Sequence, residues 1–266
     1  MTPFQALVLG LVQGATEFLP VSSSAHLILA SWALGWSDQG LHFDMMANTG
    51  SVAAVIVYFR RELAEVLREA RGALAGAAAP GARLGRALIV GTLPAAVAGI
   101  LVQEWVATDA RQPMVVAVTA IAYGLLLGWA DRRREGEGKL ADVGIREALI
   151  IGFAQALALV PGTSRSGITM TAALFLGFRR TAAARFSFLL AVPVGLLVAG
   201  KDVWDLVRGA ASAGDWAPLA VVFAASAVSS LLVIAWLLLW LRRRSLLPFA
   251  LYRVLLGMAL LALAWA

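Results

Sequence analysis

Residues able to perform acid/base chemistry are concentrated in one short stretch, EFLPVSSSAHL at positions 17–27, which lies between apolar segments. Glu17 is the carboxylate of this stretch, and Gln13 stands four residues before it. In a helix, that spacing places both side chains on one face. Pro20 cannot continue the helix, because its ring removes a backbone N–H and clashes with the preceding turn. The stretch therefore predicts a helix that ends within an apolar region, near a carboxylate.

Three serines follow the predicted break, Ser22, Ser23 and Ser24, and His26 comes three residues after Ser23. Hydroxyls at the start of a helix cap its free backbone N–H groups, and that end of the helix attracts anions. Glu17 and His26 would supply acid/base groups beside a serine nucleophile. For each serine taken alone, a simple capping role is the alternative.

A second polar cluster, VPGTSRSG at positions 160–167, has the same character. Its proline and glycine would break a helix, and Thr163 or Ser164 would cap the next one. Arg165 lies four residues before Thr169 and would share a helical face with it. A guanidinium fork, several hydroxyls and two helix N-termini all supply donors or positive potential. Together the two clusters predict a site for a phosphate group.

The composition is that of an integral membrane protein. Of the 266 residues, 61% are hydrophobic and 14% are charged, and the mean hydropathy is +0.82. The long apolar runs fit α-helical spans and lack the alternation of a barrel. A charge at membrane depth costs roughly 2.5–3.5 kcal/mol on insertion scales. We therefore expect Glu17 and Arg165 to face each other or a ligand, with a purely structural pair as the alternative.

Basic residues are grouped, since seventeen of the 22 lysines and arginines lie within residues 60–86, 132–146, 179–185 and 242–244. This grouping follows the positive-inside rule, so the net charge of +6 does not indicate nucleic-acid binding. With the four stretches as cytoplasmic loops, the chain crosses six times, at 45–59, 87–103, 113–131, 186–200, 217–241 and 246–266. The opposite loops would lie at 35–44, 104–112 and 201–216.

The segment 148–178 does not fit as a crossing, because the basic stretches on its two sides lie on the same face. It must enter the membrane and turn back. An internal repeat supports this interpretation: ALVLGLVQGATEFLPVSSSAH at 6–26 corresponds to ALIIGFAQALALVPGTSRSG at 148–167. Each copy is predicted to form a re-entrant helical hairpin followed by three crossings. Because that number is odd, the second hairpin enters from the opposite face.

The predicted fold is a single all-α polytopic membrane domain over residues 1–266, with two inverted repeats at about 1–131 and 146–266. Each repeat contains a re-entrant helical hairpin and three transmembrane helices. This architecture brings the two polar tips together near the membrane midplane. Eight ordinary kinked helices are the alternative.

The two motifs resemble those of the bacterial undecaprenyl-diphosphate phosphatase family, the bacitracin-resistance type. The first family motif is a Glu or Gln, three residues, then Glu running into Phe-Leu-Pro-Val-Ser-Ser and ending at His. It matches QGATEFLPVSSSAH at 13–26. The second, Pro-Gly-x-Ser-Arg-Ser-Gly with a Thr shortly after, matches PGTSRSGIT at 161–169. The stretches FDMMANTGSVAAVIVYFRRE, FSFLLAVP and PFALYRVLLG extend the likeness over essentially the whole chain.

The resemblance implies removal of the terminal phosphate from undecaprenyl diphosphate, which yields the monophosphate carrier of peptidoglycan synthesis and confers bacitracin resistance. Family members are multi-pass enzymes of the bacterial plasma (inner) membrane and are often homodimers, so a homodimer within the lipid bilayer is expected. A divalent cation, Mg²⁺ or Ca²⁺, is also implied. Glu17 would be the only carboxylate at the site, so the cation would be shared with the substrate diphosphate.

The positions that match the family motifs also imply roles for individual residues of this chain. The resemblance makes Ser23 the nucleophile, His26 its acid/base partner and Glu17 a catalytic carboxylate, while Arg165 holds the diphosphate and stabilises developing charge. The remaining motif residues would bind substrate: Gln13, Ser22, Ser24, Ser164, Ser166, Gly167 and Thr169. Whether Ser23 is phosphorylated, or instead orients water or phosphate, stays open. A lipid or anion transporter or flippase is the alternative function, because inverted repeats with broken hairpins are transporter architecture.

Overall fold

The computed structural model describes residues 2–36, 41–74, 79–108, 112–133, 136–205 and 216–265. Within these ranges the predicted all-α class is confirmed, because the only extended pairing there is an isolated bridge between Gly138 and Phe178. The α-helices are α1 Pro3–Glu17, α2 Ser23–Ala33, α3 Leu41–Tyr58, α4 Arg60–Arg68, α5 Ala70–Leu74, α6 Pro80–Thr108, α7 Pro113–Arg132, α8 Ile145–Ala156, α9 Arg165–Phe175, α10 Arg180–Asp205, α11 Trp216–Trp240 and α12 Leu247–Trp265. Parts of five predicted loops lie outside the described residues, at 37–40, 75–78, 109–111, 134–135 and 206–215.

Four helices in the described part of the chain are long and apolar enough to cross a membrane. They comprise Pro80–Val102 in α6, Met114–Arg132 in α7, Arg180–Gly200 in α10 and Trp216–Trp240, which is α11. These helices overlap four of the six predicted crossings and support a polytopic membrane protein. α6 begins seven residues before its predicted crossing and α10 six residues before, so the predicted loops 60–86 and 179–185 are partly helical, which corrects their bounds. The other two predicted crossings are helical as well, as α3 and as α12, whose apolar stretch Leu247–Ala262 is shorter.

Two helix pairs are interrupted near the prolines. α1 ends three residues before Pro20, and α8 ends five residues before Pro161. A short turn after Pro161 leads to α9. In both pairs the second helix begins directly after a serine with a positive φ, which is 73° at Ser22 and 64° at Ser164. These two serines are the only non-glycine residues with positive φ in the described ranges. The two breaks therefore share a serine with a positive φ directly before the second helix.

The first helix of each interrupted pair packs lengthwise on a long helix from the other half of the chain. α1 packs on α11, and α8 packs on α6. Glycines permit the close approach in both cases. A Cβ on Gly10 would lie 2.7 Å from the carbonyl oxygen of Val222, and Gly152 lies directly against the backbone of Gly91. Small residues at such contacts are typical of helix packing in membranes.

Contacts at one end of the bundle connect the helix ends that border all four basic stretches. Asp131, at the end of α7, accepts hydrogen bonds from Nε of Arg180 at 2.6 Å and from the backbone N–H of Leu246 at 3.0 Å. Arg185 forms an ion pair with Glu62. The contacts bring together the neighbourhoods of residues 60–86, 132–146, 179–185 and 242–244. We call this the basic end of the bundle.

α10 is the central helix. Of its apolar span, 67% is buried inside the protein, against 33–39% in α6, α7 and α11. Phe186, Phe188 and Leu189 of α10 are buried in the main core. Phe188 also contacts Phe18 edge to face, with ring centroids 5.1 Å apart. Since Phe18 directly follows α1, the core holds the first interrupted pair against α10 at the point where the polar stretch begins.

Candidate active site

The two breaks, which we call tip one (residues 17–23) and tip two (residues 160–166), contact each other directly. Oγ of Ser166 donates to the carbonyl oxygens of Leu19 at 3.0 Å and Glu17 at 3.2 Å. Carbonyls at the end of a helix lack partners within the helix. A hydroxyl from the second half of the chain therefore satisfies the end of α1, and it holds the two tips within hydrogen-bond distance.

Glu17 lies at the centre of this junction. Its Oε1 accepts a hydrogen bond from Nη2 of Arg165 at 2.9 Å, and its Oε2 accepts from Oγ of Ser23 at 2.7 Å and from Nε2 of Gln13 at 3.0 Å. The side chains of Arg165 and Glu17 are only 19% and 11% exposed. Their attraction is therefore screened much less than that of a surface pair.

Arg165 keeps a donor available for a ligand. Its guanidinium lies over the Phe18 ring, with Cζ 5.9 Å from the ring centroid, a cation–π distance. Nη2 is bound to Glu17, whereas Nη1 is buried and has no hydrogen-bond partner among the described residues. A guanidinium fork matches the spacing of phosphate oxygens. Because Arg165 lines the cavity between the tips, its guanidinium adjoins any anion that enters there, and Nη1 is a donor not engaged within the described residues.

A polar cavity of about 240 Å³ lies between the tips. Helices α2 and α9 both begin at this cavity, with Ser23 and Arg165 as their first residues. Helix N-termini attract anions through their free N–H groups and their dipoles. Six of the predicted site residues line the cavity: Glu17, Ser22, Ser23, Ser24, Ser164 and Arg165. Hydroxyls, a guanidinium and two helix starts make it suited to a phosphate group.

Five predicted site residues contact the protein around the cavity and do not line it. Thr169 Oγ1 lies 2.7 Å from Ser187 Oγ and joins α9 to α10. Gly167 leaves room for an arginine of α12, since a Cβ there would lie 2.6 Å from Nη1 of Arg253. The five are Gln13, His26, Ser166, Gly167 and Thr169.

His26 lies beside tip one, and its contacts are not with Ser23. Its Nδ1 is 2.7 Å from the carbonyl oxygen of Ser22, and its Nε2 is 2.6 Å from Oη of Tyr252. Because a carbonyl can only accept, Nδ1 carries a proton. In the neutral ring, Nε2 would then accept a hydrogen bond from the phenol of Tyr252. Both ring nitrogens are engaged. The structure therefore differs from the predicted pairing, since the Ser23 hydroxyl donates to Glu17.

Two residues of α12 near the tips were not among the predicted site residues. Tyr252 contacts His26, and Nη2 of Arg253 donates to the carbonyl oxygens of Gly162 at 3.0 Å and Thr163 at 2.7 Å. Arg253 carried a usable signal, because a charged residue within an apolar helix is costly and usually has a partner. Tyr252 carried none, since its contact depends on how α2 and α12 meet in space.

A second cavity, of about 460 Å³, adjoins the polar one and shares Arg165 and Ala158 with it. Its other walls are mainly apolar side chains of α6 and α10, including Ile100 and Leu197. The boundary between polar and apolar surface therefore lies at Arg165. A ligand with a charged head and an apolar chain fits this arrangement.

The donor set does not fit a cation held by the protein alone. Glu17 is the only carboxylate that lines the polar cavity, and both of its oxygens already accept hydrogen bonds. Within the described residues, no group of three or more His, Cys, Asp or Glu side chains could hold a metal ion. A cation at this cavity would need most of its oxygen ligands from a bound substrate.

Comparison with known proteins identifies the family of the chain. The profile of the family described as bacitracin resistance protein BacA matches residues 6–259. Proteins named undecaprenyl-diphosphatase are similar over nearly their whole length: that of Chromohalobacter salexigens is 50% identical, covering 96% of each chain. That of Magnetococcus marinus is 48% identical over 98% of this chain and 99% of its own. The chain therefore belongs to the bacitracin resistance protein BacA family.

Proposed function

We propose that the protein is an undecaprenyl-diphosphatase, which hydrolyses undecaprenyl diphosphate to undecaprenyl phosphate and inorganic phosphate. This reaction recycles the lipid carrier for peptidoglycan synthesis and confers resistance to bacitracin. The observation that carries the proposal is the Glu17 carboxylate, bound at once by Ser23 and Arg165 at a polar cavity. The shared name of the similar proteins favours a phosphatase over a transporter or flippase.

The contact between Ser23 and Glu17 supports a serine nucleophile with a carboxylate base. The proton of Ser23 passes to Oε2 of Glu17 across 2.7 Å while Oγ attacks the terminal phosphorus. The bond from that phosphorus to the bridging oxygen breaks, and the lipid monophosphate leaves with the electron pair. Water then releases phosphate from Ser23 and restores the hydroxyl. In the alternative, Glu17 deprotonates a water molecule that attacks directly, and Ser23 only orients the phosphate.

Arg165 and the two helix starts stabilise the charge that develops on the phosphate. Nη1 of Arg165 donates to a phosphate oxygen, and the N-termini of α2 and α9 direct positive potential into the same cavity. Gln13 holds the carboxylate of Glu17 in place through its 3.0 Å hydrogen bond. A divalent cation, Mg²⁺ or Ca²⁺, would enter with the diphosphate and neutralise part of its charge, with Glu17 as the carboxylate available to it.

The apolar cavity supports a lipid substrate. With the diphosphate between the tips, the first part of the polyprenyl chain lies between α6 and α10 in the cavity of about 460 Å³. The rest of the chain extends into the bilayer along the outer face of α6, where Ile100 is 79% and Leu101 77% exposed.

The packing of the interrupted pairs supports inverted repeats. Along both packed pairs the residue numbers rise together, so α1 runs parallel to α11 and α8 runs parallel to α6. α6 leads away from the basic end, whereas α11 leads towards it, so α1 and α8 enter from opposite ends. The contacts are Gly10 with Val222, then Gly14 with Ser226, and Gly152 with Gly91, then Leu159 with Gly99.

The length of α9 supports a site near the midplane of the bacterial inner membrane. α9 leads from the cavity to the basic end, and its 11 residues span about 16 Å at 1.5 Å per residue. The hydrocarbon core of a bilayer is about 30 Å thick, so the tips lie about halfway through it. The positive-inside rule places the basic end in the cytoplasm. A homodimer stays a prediction.

Phosphate release from undecaprenyl diphosphate by the purified protein in detergent tests the proposed function, because transport cannot contribute there. We expect release by the wild type and its loss in Arg165→Ala. Arg242→Ala, at an exposed position of the basic end, is the matched control and should retain activity. An inactive wild type that is folded by thermal melting would refute the phosphatase, and full activity of Arg165→Ala would refute the assigned site.

A further inference from the structure

Two neighbouring residues of α12 each contact a different tip, and Tyr252 contacts tip one through a histidine. Oη of Tyr252 lies 2.6 Å from Nε2 of His26, and the two rings are stacked, with centroids 5.5 Å apart and planes 15° from parallel. Nδ1 of His26 donates to the carbonyl oxygen of Ser22 at 2.7 Å. Tyr252 is therefore linked to the backbone of tip one by a chain of two hydrogen bonds.

Arg253 contacts tip two directly. It is completely buried, and its Nη2 donates to the carbonyl oxygens of Gly162 and Thr163. Its guanidinium fills the space beside Gly167, in the first turn of α9. Nε and Nη1 have no hydrogen-bond partner within the described residues. Burial of an incompletely paired guanidinium lowers the stability of the folded protein. We therefore expect Arg253 to serve a purpose other than packing.

The backbone that these contacts hold is strained at both tips. Ser22 and Ser164 have φ values of 73° and 64°, in a region that L residues rarely adopt. Such conformations persist only where the surrounding contacts hold them. Each strained serine directly precedes the residue with a proposed chemical role, which is Ser23 at tip one and Arg165 at tip two.

We propose that Tyr252 and Arg253 are positioning residues that fix the two tips relative to each other. They thereby place Ser23 and Arg165 on one carboxylate, that of Glu17. Neither Tyr252 nor Arg253 lines the polar cavity, so they act through the tips and not on the substrate. Because the two are adjacent in one helix, a displacement of either tip is resisted through α12. The test of this proposal by kcat rests on the proposed phosphatase function, whereas its test by the distance between the two tips does not.

A distance measurement tests the geometry without reference to activity. The chain has no cysteine, so Ser24→Cys and Ala158→Cys, at cavity-lining positions near tip one and tip two, can carry a pair of spin labels. Pulsed electron paramagnetic resonance in detergent then gives the distance distribution between the labels. We expect it to broaden or shift in Tyr252→Phe and in Arg253→Lys, and to stay unchanged in the control Tyr58→Phe. Unchanged distributions in both variants overturn the proposal.

Kinetics of the unlabelled protein test the consequence for catalysis. Tyr252→Phe keeps the stacked ring and removes only the hydroxyl that is hydrogen-bonded to His26. A displacement of about 1 Å can cost up to about 100-fold in rate, so we expect kcat to fall by about 10- to 100-fold while KM changes less than about twofold. His26→Gln should cost less in the Tyr252→Phe background than in the wild type, because Tyr252→Phe has already removed one of the two hydrogen bonds that the His26 ring makes. Additive losses overturn the proposed coupling.

Melting temperature separates positioning from general stability. We expect the melting temperature of Tyr252→Phe to equal that of the wild type and of Tyr58→Phe. If kcat falls only in variants whose melting temperature also falls, the positioning role is overturned. If Arg253→Lys fails to fold, Tyr252→Phe and its double variant still test the proposal. If the wild type releases no phosphate, the proposed function fails, while the label distances still decide whether α12 positions the tips.

Discussion

Ser23 and Arg165 bind opposite oxygens of the same carboxylate, that of Glu17, at 2.7 Å and 2.9 Å. One comes from each half of the chain, and each is the first residue of a helix that follows a strained serine. Both hydrogen bonds to this carboxylate can form only when the two halves of the chain are correctly placed relative to each other. A phosphate that draws Arg165 away from Oε1 would leave Oε2 in contact with the Ser23 hydroxyl.

Replacement of Glu17 by glutamine should abolish most of the activity. The amide keeps the size of the carboxylate but removes its charge and its capacity to take a proton, and general-base catalysis typically contributes about 10²- to 10⁴-fold. We expect kcat for phosphate release to fall by that factor, with a smaller change in KM. Glu65→Gln, at an exposed position of α4, is the control. Retention of kcat within a few-fold would exclude Glu17 as the base.

Ser23→Ala should prevent formation of a phosphoenzyme. With substrate labelled in its terminal phosphate, acid quenching should trap label on the wild type and on Ser24→Ala, whose hydroxyl contacts Ser22 and not the carboxylate. No label should remain on Ser23→Ala. If Ser23→Ala turns over at the wild-type rate, direct attack by water replaces the serine mechanism.

Ser166→Ala should weaken the junction between the halves. The change removes the side-chain donor to the carbonyl oxygens of Glu17 and Leu19. The Leu19 oxygen keeps the backbone N–H of Val21 at 2.8 Å, so the main effect falls on Glu17, and a buried polar group that loses its partner costs about 1–3 kcal/mol. We expect a lower melting temperature in detergent and a lower kcat. Ser229→Ala removes a weak 3.4 Å hydrogen bond within α11 and a hydroxyl that packs against Gly14 of α1, so it should lower the melting temperature much less than Ser166→Ala does. Equal melting of both variants would contradict the role of Ser166.

Gly99→Phe should discriminate between lipid chains. Gly99 lines the apolar cavity, where a phenyl ring would occupy the space proposed for the polyprenyl chain. We expect kcat/KM to fall for undecaprenyl diphosphate and to change much less for a short-chain prenyl diphosphate. Gly200→Phe, in open space near the end of α10, is the matched control. An equal loss for both substrates would place the chain elsewhere or indicate a general distortion.

Cation binding should require a diphosphate. Because Glu17 is the only cavity carboxylate and its oxygens are already hydrogen-bonded, the protein alone offers too few ligands. We expect titration calorimetry to detect no Mg²⁺ or Ca²⁺ binding by the free protein and saturable binding in the presence of a diphosphate lipid analogue. Tight binding to the free protein would disprove the shared arrangement.

The sequence predicted the breaks because proline, glycine and serine act locally. The approach of Glu17 to Arg165 was also predictable, since two charges in apolar segments need partners. The surroundings of His26 were not predictable in the same way. Its spacing of three from Ser23 places both on one side of α2, but the packing of α12 decides which groups the ring contacts. The spacing alone contained no information about Tyr252.

The positions of Ser166 and Gly167 show a second limit. Their motif indicated phosphate binding, yet Ser166 contacts backbone of tip one and Gly167 makes room for Arg253. Short polar motifs look alike whether the side chains face a ligand or the neighbouring backbone. Only the three-dimensional arrangement separates the two cases.

The meeting of the polar and apolar cavities at Arg165 has a kinetic consequence. With the polyprenyl chain in the apolar cavity as proposed, the two products separate by solubility: inorganic phosphate departs through water, while the lipid product moves sideways between α6 and α10 into the leaflet. The substrate arrives by the same lateral route. Saturation of the enzyme is then governed by the surface density of the lipid in its membrane or micelle, and dilution with inert detergent slows turnover even at constant molarity.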